Sequence, residues 1–197
     1  MSYYNTIEQE AVAEFKDKGS KFIAYAFPFA DVGLLKSILS QLKKEHPKAV
    51  HFCFAYRIGN DGNTFRSSDD GEPSGSAGKP ILGQIDSKEV TDVLVVVVRY
   101  FGGTLLGVSG LINAYKSTAA MALQVVPIVR KPVLYYCHIQ FDYTQQNDIL
   151  IILKANSCVI VSQENQLFST IKVGVPEERK EEVLYRLKNL RNVEVMV

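Results

Sequence analysis

The chain has 197 residues, is 47% hydrophobic and 22% charged, and sets 22 Lys and Arg against 21 acids, for a net charge of +1. That is room for one large or two small globular domains, and it excludes a chain acting as a general polycation on nucleic acid. Three scattered cysteines (Cys53, Cys137, Cys158) with no CxxC pair, and only His46, His51 and His138, speak against a disulfide framework or a Cys/His metal site.

The opening "MSYYNTIEQE" is polar and reads as neither a signal nor a transit peptide. The longest apolar run, "VLVVVV", is too short to span a bilayer. The expectation is a cytoplasmic protein with no membrane partner.

"KFIAYAFPFA" (21–30) reads as a strand. Asp31 can cap the helix that follows, in which Leu34, Leu35, Ile38, Leu39 and Leu42 recur at helical spacing and Pro47 closes the run. "HFCFAYRIG" (51–59) is a second strand and "NDGNT" (60–64) a turn. Then comes "FRSSDDGEPSGSAGKPIL" (65–82), read as a long loop of a kind that is functional or disordered. "DVLVVVVRYF" (92–101) is a β-branched run suited to a strand buried on both faces. "GGTLLGVSG" (102–110) reads as a glycine-rich connection into a helix, "LINAYKSTAAMALQVV" (111–126).

Pro127 and Pro132 bracket a break, and a domain boundary is expected near residue 131. Beyond it the pattern is β-α-β-β-α-β, the order of a ferredoxin-like split βαβ unit. Thr144 is expected to cap its first helix, Glu164-Asn165 to turn its hairpin, and Pro176 to open its second helix. Residues 1–131 carry 15 bases and 13 acids, residues 132–197 carry 7 and 8, so neither half looks like a nucleic-acid clamp. The fold class expected is α+β in two domains, 1–131 and 132–197.

The loop contains Gly78-Lys79 but is no phosphate-binding P-loop. Pro73 stands where a glycine is required, and Pro80 replaces the metal-binding hydroxyl residue. Asp69, Asp70 and Glu72 could gather round a hard cation. The stronger reading is that Asp69 and Asp70 bond turn N–H groups, with Gly71 at positive φ. Arg99 ends a buried strand and must find a partner, either a loop acid in a structural ion pair or a bound anion. The glycines at 102–110 suit either ligand approach or close strand–helix packing. His51 and Cys53 share a strand face but read as packing residues, and no serine sits in a GxSxG elbow.

"RSSDDGEPSGSAGKPIL", followed by "VLVVVVRYFGG" and "LINAY", resembles the IMPACT family of YigZ-like proteins, with the motifs covering about residues 50–120. The resemblance implies an N-terminal βαβ domain like domain two of a small-subunit ribosomal protein, and a C-terminal ferredoxin-like domain similar to one in elongation factor G. It implies a non-enzymatic, translation-linked regulatory role. Eukaryotic members compete for an activator of the initiation-factor kinase that senses amino-acid starvation, and nucleic-acid binding is inferred for bacterial members from the fold. Where the family often reads "GGIKLGAGGLVRAY" this chain has "GGTLLGVSGLINAY", so a lysine becomes Leu105 and an arginine Asn113. Contact with RNA or the ribosome is therefore expected to be weak, beside a protein partner from the translation apparatus, with no cofactor and no metal. The partner surface expected joins Arg66, Ser67, Ser68, Asp69, Asp70, Gly71, Glu72, Pro73, Ser76, Gly78 and Lys79 to Arg99, Tyr100, Phe101, Gly102, Gly103, Gly107 and Gly110. The alternative is an enzyme acting on a small anionic or phosphorylated substrate at the Asp69/Asp70/Glu72–Arg99 surface.

Overall fold

The computed structural model describes residues 3–165 and 169–196. In chain order the elements are β1 (Tyr3–Ile7), β2 (Ala11–Asp17), β3 (Ser20–Pro28), α1 (Leu35–Glu45), β4 (His51–Ile58), β5 (Thr64–Ser68), α2 (Gly78–Ser87), β6 (Val93–Tyr100), α3 (Gly107–Val125) and β7 (Ile128–Pro132). They continue with β8 (Leu134–Phe141), α4 (Gln146–Ala155), β9 (Val159–Asn165), β10 (Ser169–Pro176), α5 (Lys180–Lys188) and β11 (Val193–Met196). The chain divides into two compact units, Tyr4–Lys131 and Pro132–Val197, the latter together with Met1–Tyr3. Helices and sheets are mixed in both.

The first unit is built on a five-stranded sheet in the order β2-β3-β6-β4-β5, antiparallel throughout. β3 and β4 are both antiparallel to β6, so they run in the same direction on either side of it, joined by α1. The strand alternation of β6 divides its valines between two cores. Val93, Val95 and Val97 face α2 and α3, while Leu94, Val96 and Val98 face α1. Both faces of this central strand are covered, and a buried residue of that size contributes roughly 1.5–3 kcal/mol. The charged Arg99 follows this run and is also buried.

Several local expectations change. α2 occupies residues that read as loop, and α3 begins four residues earlier than its apolar run, at Gly107. Asp31 does cap a 3-10 turn leading into α1, through Gly33 N–H. In the second unit the cap before α4 is Asp142, whose carboxylate accepts from Thr144 N–H and hydroxyl, so Thr144 is the donor rather than the cap. Glu164 and Asn165 do not turn the hairpin. They pair with Thr170 and Ser169 in the β9–β10 ladder, and the connection 166–168 lies outside the described residues.

The second unit has a four-stranded antiparallel sheet in the order β11-β8-β10-β9. Ile139, Ile171 and Val173 on its inner face pack with Ile149 and Leu153 of α4 and Val183 and Leu187 of α5. Among the described residues no helix is long and apolar enough to cross a membrane.

Candidate functional site

The register of β6 fixes the site. Arg99 lies opposite Phe22 of β3 on one side and His51 of β4 on the other. Its side chain is 6% exposed and that of Glu72 3%, with Arg99 Nη1 donating to Glu72 Oε1 at 2.6 Å. Tyr115 of α3 donates its hydroxyl to the same oxygen at 2.7 Å. The guanidinium also lies over the rings of Phe22 (5.4 Å) and Phe101 (5.8 Å). Its Nε has no hydrogen-bond partner among the described residues; the flanking rings offer π faces rather than acceptors. Strand β6, the 69–78 turn and α3 are thus pinned together at one carboxylate oxygen.

The other two loop acids do different work. Asp69 Oδ1 accepts from Ala77 N–H (3.0 Å) and Gly78 N–H (2.8 Å), and Oδ2 from Gly75 N–H (2.8 Å). It therefore caps α2 from a distance, binding N–H groups that the helix leaves unpaired. Desolvation pushes the Asp69 carboxyl up, but the N–H groups of Gly75, Gly78 and Ala77 outweigh it and hold the group below its usual range. Asp70 takes positive φ, accepts Phe52 N–H at 2.7 Å and offers its carbonyl to His51 Nδ1 at 2.8 Å. That carbonyl requires a proton on Nδ1, which leaves Nε2 directed at Glu72 Oε1 across 3.9 Å. Gly71 follows at φ +89.

The carboxylates expected to act together are therefore dispersed, and Glu72 alone meets Arg99. Cys53 Sγ sits 2.9 Å from Asp69 O and 3.3 Å from Tyr115 Oη. Burial raises the pKa of this thiol strongly, and burial likewise raises that of Tyr115, so neither is a ready nucleophile or base near neutrality.

Above this locked floor opens a cleft of about 420 Å³, lined by His51, Glu72, Pro73, Arg99, Phe101 and Leu105–Val108 at the start of α3, among others. Its rim is apolar and open: Leu105 is 82% exposed, Val108 54% and Phe101 49%. Among the described residues no lysine lines it, and its arginine is already paired.

The expected surface residues do not all converge here. Glu72, Pro73, Arg99, Phe101 and Gly107 line the cleft. Asp69, Asp70, Gly71, Ser76 and Gly78 build the turn beneath it; the Ser76 hydroxyl donates to Pro73 O. Ser67 pairs with Ala55 in the β4–β5 ladder, Ser68 accepts Asp70 N–H, and Lys79 is exposed in the first turn of α2. Arg66 and Tyr100 belong to the opposite sheet face. Arg66 lies over Phe54, and the Tyr100 hydroxyl is 2.7 Å from His46 Nδ1. The glycines have separate reasons. A Cβ on Gly102 would fall 1.9 Å from the Gly19 carbonyl carbon, so that glycine serves chain packing. Gly103 and Gly107 need positive φ (+86 and +71), and Gly110 sits close under Leu106. The residues not anticipated are Tyr115 and Phe22, far away in sequence, and two members of the rim: Leu105, which reads only as a missing charge, and Val108, which the sequence does not single out.

The Impact N-terminal domain family matches residues 18–123, just over half of the chain. The chain is 35% identical over 172 residues to the IMPACT family member YigZ of Escherichia coli, covering 86% of this chain and 84% of that protein. An IMPACT family member of Haemophilus influenzae is 31% identical over 180 residues, covering 90% and 87%. A crystal structure titled as a hypothetical protein superposes with a TM-score of 0.78 at 30% identity, over 100% of this chain and 98% of that one. A chain whose buried arginine, acidic turn and glycine-led helix carry these motifs is an IMPACT-type protein of mixed helices and antiparallel sheets. It belongs to the IMPACT family.

Proposed function

We propose that this protein is a non-enzymatic, translation-linked regulatory protein whose N-terminal cleft receives a protein of the translation apparatus. Family membership supports the translational setting, and one observation carries the binding mode. The apolar rim of Phe101, Leu105 and Val108 stands over an Arg99–Glu72 pair that is already satisfied. Such a floor is rigid and has little charge to offer, while exposed apolar residues grouped at a cleft are the usual mark of a partner site. RNA contact at this place is weak on the same reading, because Leu105 stands where the family motif carries lysine and, among the described residues, no unpaired cation lines the cleft.

On this reading the first unit corresponds to the ribosomal-protein-like domain and residues 132–197 to a ferredoxin-like domain of the elongation factor G kind. The βαββαβ order and the β11-β8-β10-β9 sheet support the second assignment. The test is co-sedimentation of the full chain with purified ribosomes and translation factors, read together with output of a reconstituted translation reaction. Wild type is expected to associate and change output, while Leu105→Asp with Val108→Asp loses both. Association and output that are unaffected by the double variant overturn the assignment of the cleft.

A further inference from the structure

The sheet face opposite the cleft carries a second groove, about 680 Å³, between α1 and the β4–β5 edge. Its cations are Lys36, Lys43 and Lys44 from the helix and Arg66 from the edge strand, and its floor includes Leu39 and Phe54. No acid lines it, and none of the four cations forms an ion pair among the described residues. In a chain of net charge +1 this is a local concentration of one sign. Two of the cations, one from the helix and one from the edge strand, are set against rings of β4: Lys43 Nζ over Phe52 at 5.5 Å and the Arg66 guanidinium over Phe54, the ring that lines the groove, at 5.8 Å. Such contacts hold the charged heads beside apolar surface.

We propose that this groove docks an acidic amphipathic segment of a partner protein, its apolar side on Leu39 and Phe54 and its carboxylates toward the four cations. Charge complementarity selects the occupant: an uncompensated cationic wall over an apolar floor fits a chain that alternates acid and apolar side chains. Single-stranded nucleic acid is the poorer fit. Its binding sites present open aromatic faces for base stacking, whereas Phe54 is buried and already faced by Arg66, and the rest of the floor is aliphatic. The proposal is independent of the cleft, which lies on the other side of the sheet.

The probe is a fluorescein-labelled synthetic peptide of about 16 residues, some 24 Å as a helix, with Leu and Phe on one face and Glu elsewhere. Controls are a scrambled peptide of identical composition and oligouridylate, each titrated against the full chain by fluorescence anisotropy. The patterned peptide is expected to bind more tightly than the scrambled one by about tenfold or more, and to weaken as salt rises. Lys36→Glu with Lys44→Glu, both at exposed positions, should weaken it at least about tenfold, and Leu39→Asp should act in the same direction, while Leu105→Asp in the cleft leaves it unchanged. Equal binding of patterned and scrambled peptides overturns the proposal, as does indifference to the double charge reversal. Oligouridylate binding that is lost on that reversal, with no patterned-peptide binding, assigns the groove to nucleic acid instead.

Discussion

Arg99 and Glu72 stand 27 positions apart in sequence and meet at 2.6 Å in a site where both side chains are almost fully buried. The pair joins the end of the central strand to the turn that precedes α2, and Tyr115 adds α3 to the same oxygen. A buried pair of this kind resists the loss of one member far more than the loss of both.

Arg99→Ala is expected to destabilise the fold by about 3–5 kcal/mol, since it strands the Glu72 carboxylate. Arg99→Lys should recover only part of this, as lysine lacks the planar fork. Replacing both residues with apolar ones of similar volume should cost much less than the single change. Urea unfolding measures all three, and a loss under about 1 kcal/mol for Arg99→Ala, the scale of an exposed pair, would remove the tie from the account.

Asp69 makes the acid side of the stability profile. Its folded pKa is depressed, so its contribution is present above its ordinary value near 3.8 and is lost as pH falls through the folded value. Asp142, held low by the N–H and hydroxyl of Thr144, acts in the same sense in the other unit. The informative comparison is therefore with Asp69→Asn, whose NH2 would face an N–H donor where an oxygen now accepts, and which should be less stable at neutral pH by about 1–3 kcal/mol, the cost of leaving such a donor unsatisfied. It should also lose less on acidification. Melting temperatures taken from pH 6 down to about 2 read this, and parallel curves for the two proteins would contradict it.

The three thiols should react in a fixed order. Cys53 and Cys137 are buried, and Cys158 is partly open with its pKa pushed up to about 11 by burial, with the nearby Cys137 adding to the rise. Iodoacetamide at mildly alkaline pH should label Cys158 first and slowly, and Cys53 and Cys137 only in denaturant. Peptide mass spectrometry gives the order, and early labelling of Cys53 would mean that the turn over it opens.

Two glycines should respond oppositely to alanine. Gly102→Ala forces a Cβ against the Gly19–Ser20 backbone, at 1.9 Å and 2.1 Å from the nearest atoms, and should be strongly destabilising. Gly83 lies on the exposed side of α2 with nothing within 4 Å of an added Cβ. Gly83→Ala should stabilise by about 0.5–1 kcal/mol through helix propensity alone. Thermal melts of the two variants decide the matter: a neutral or stabilising Gly102→Ala would mean that the Gly19–Gly102 contact is not tight, and a destabilising Gly83→Ala would remove the propensity argument.

What was legible in the sequence was local or periodic. The six apolar residues before Arg99 placed it at the end of a buried strand in need of a partner, and Leu35, Ile38, Leu39 and Leu42 showed the inward face of α1, although Leu34, read with them, lies in the preceding 3-10 turn and is half exposed. What was hidden depended on distant contacts. α2 starts with Gly78, Lys79 and Pro80, a loop composition on its face. Its cap comes from Asp69 some eight residues upstream, Gly78 is demanded by the Ser68 backbone 2.7 Å from any Cβ, and Pro80 falls in the first turn, where a missing N–H does little harm. β2 alternates inward Ala11, Ala13 and Phe15 with outward Glu14 and Lys16, a signal present but masked by its charges. Arg66 and Tyr100 were assigned to the cleft because sequence proximity does not say which sheet face a residue takes. Tyr115, one hydrogen bond from Glu72, read simply as part of a helix.

The strand order has a consequence for synthesis. β2 and β3 pair directly, as do β4 and β5, but the two hairpins meet only through β6, which comes later in the chain. A ribosome adding about 5–20 residues per second needs several seconds to travel from the start of β4 to the end of β6. From the emergence of β5 until β6 has itself left the ribosome, the nascent chain holds two half-sheets whose inner edges, on β3 and β4, lack their neighbour. Pauses in translation that fall before β6 emerges should therefore lower the yield of folded protein more than pauses near the end of the chain, when the central strand has closed the gap.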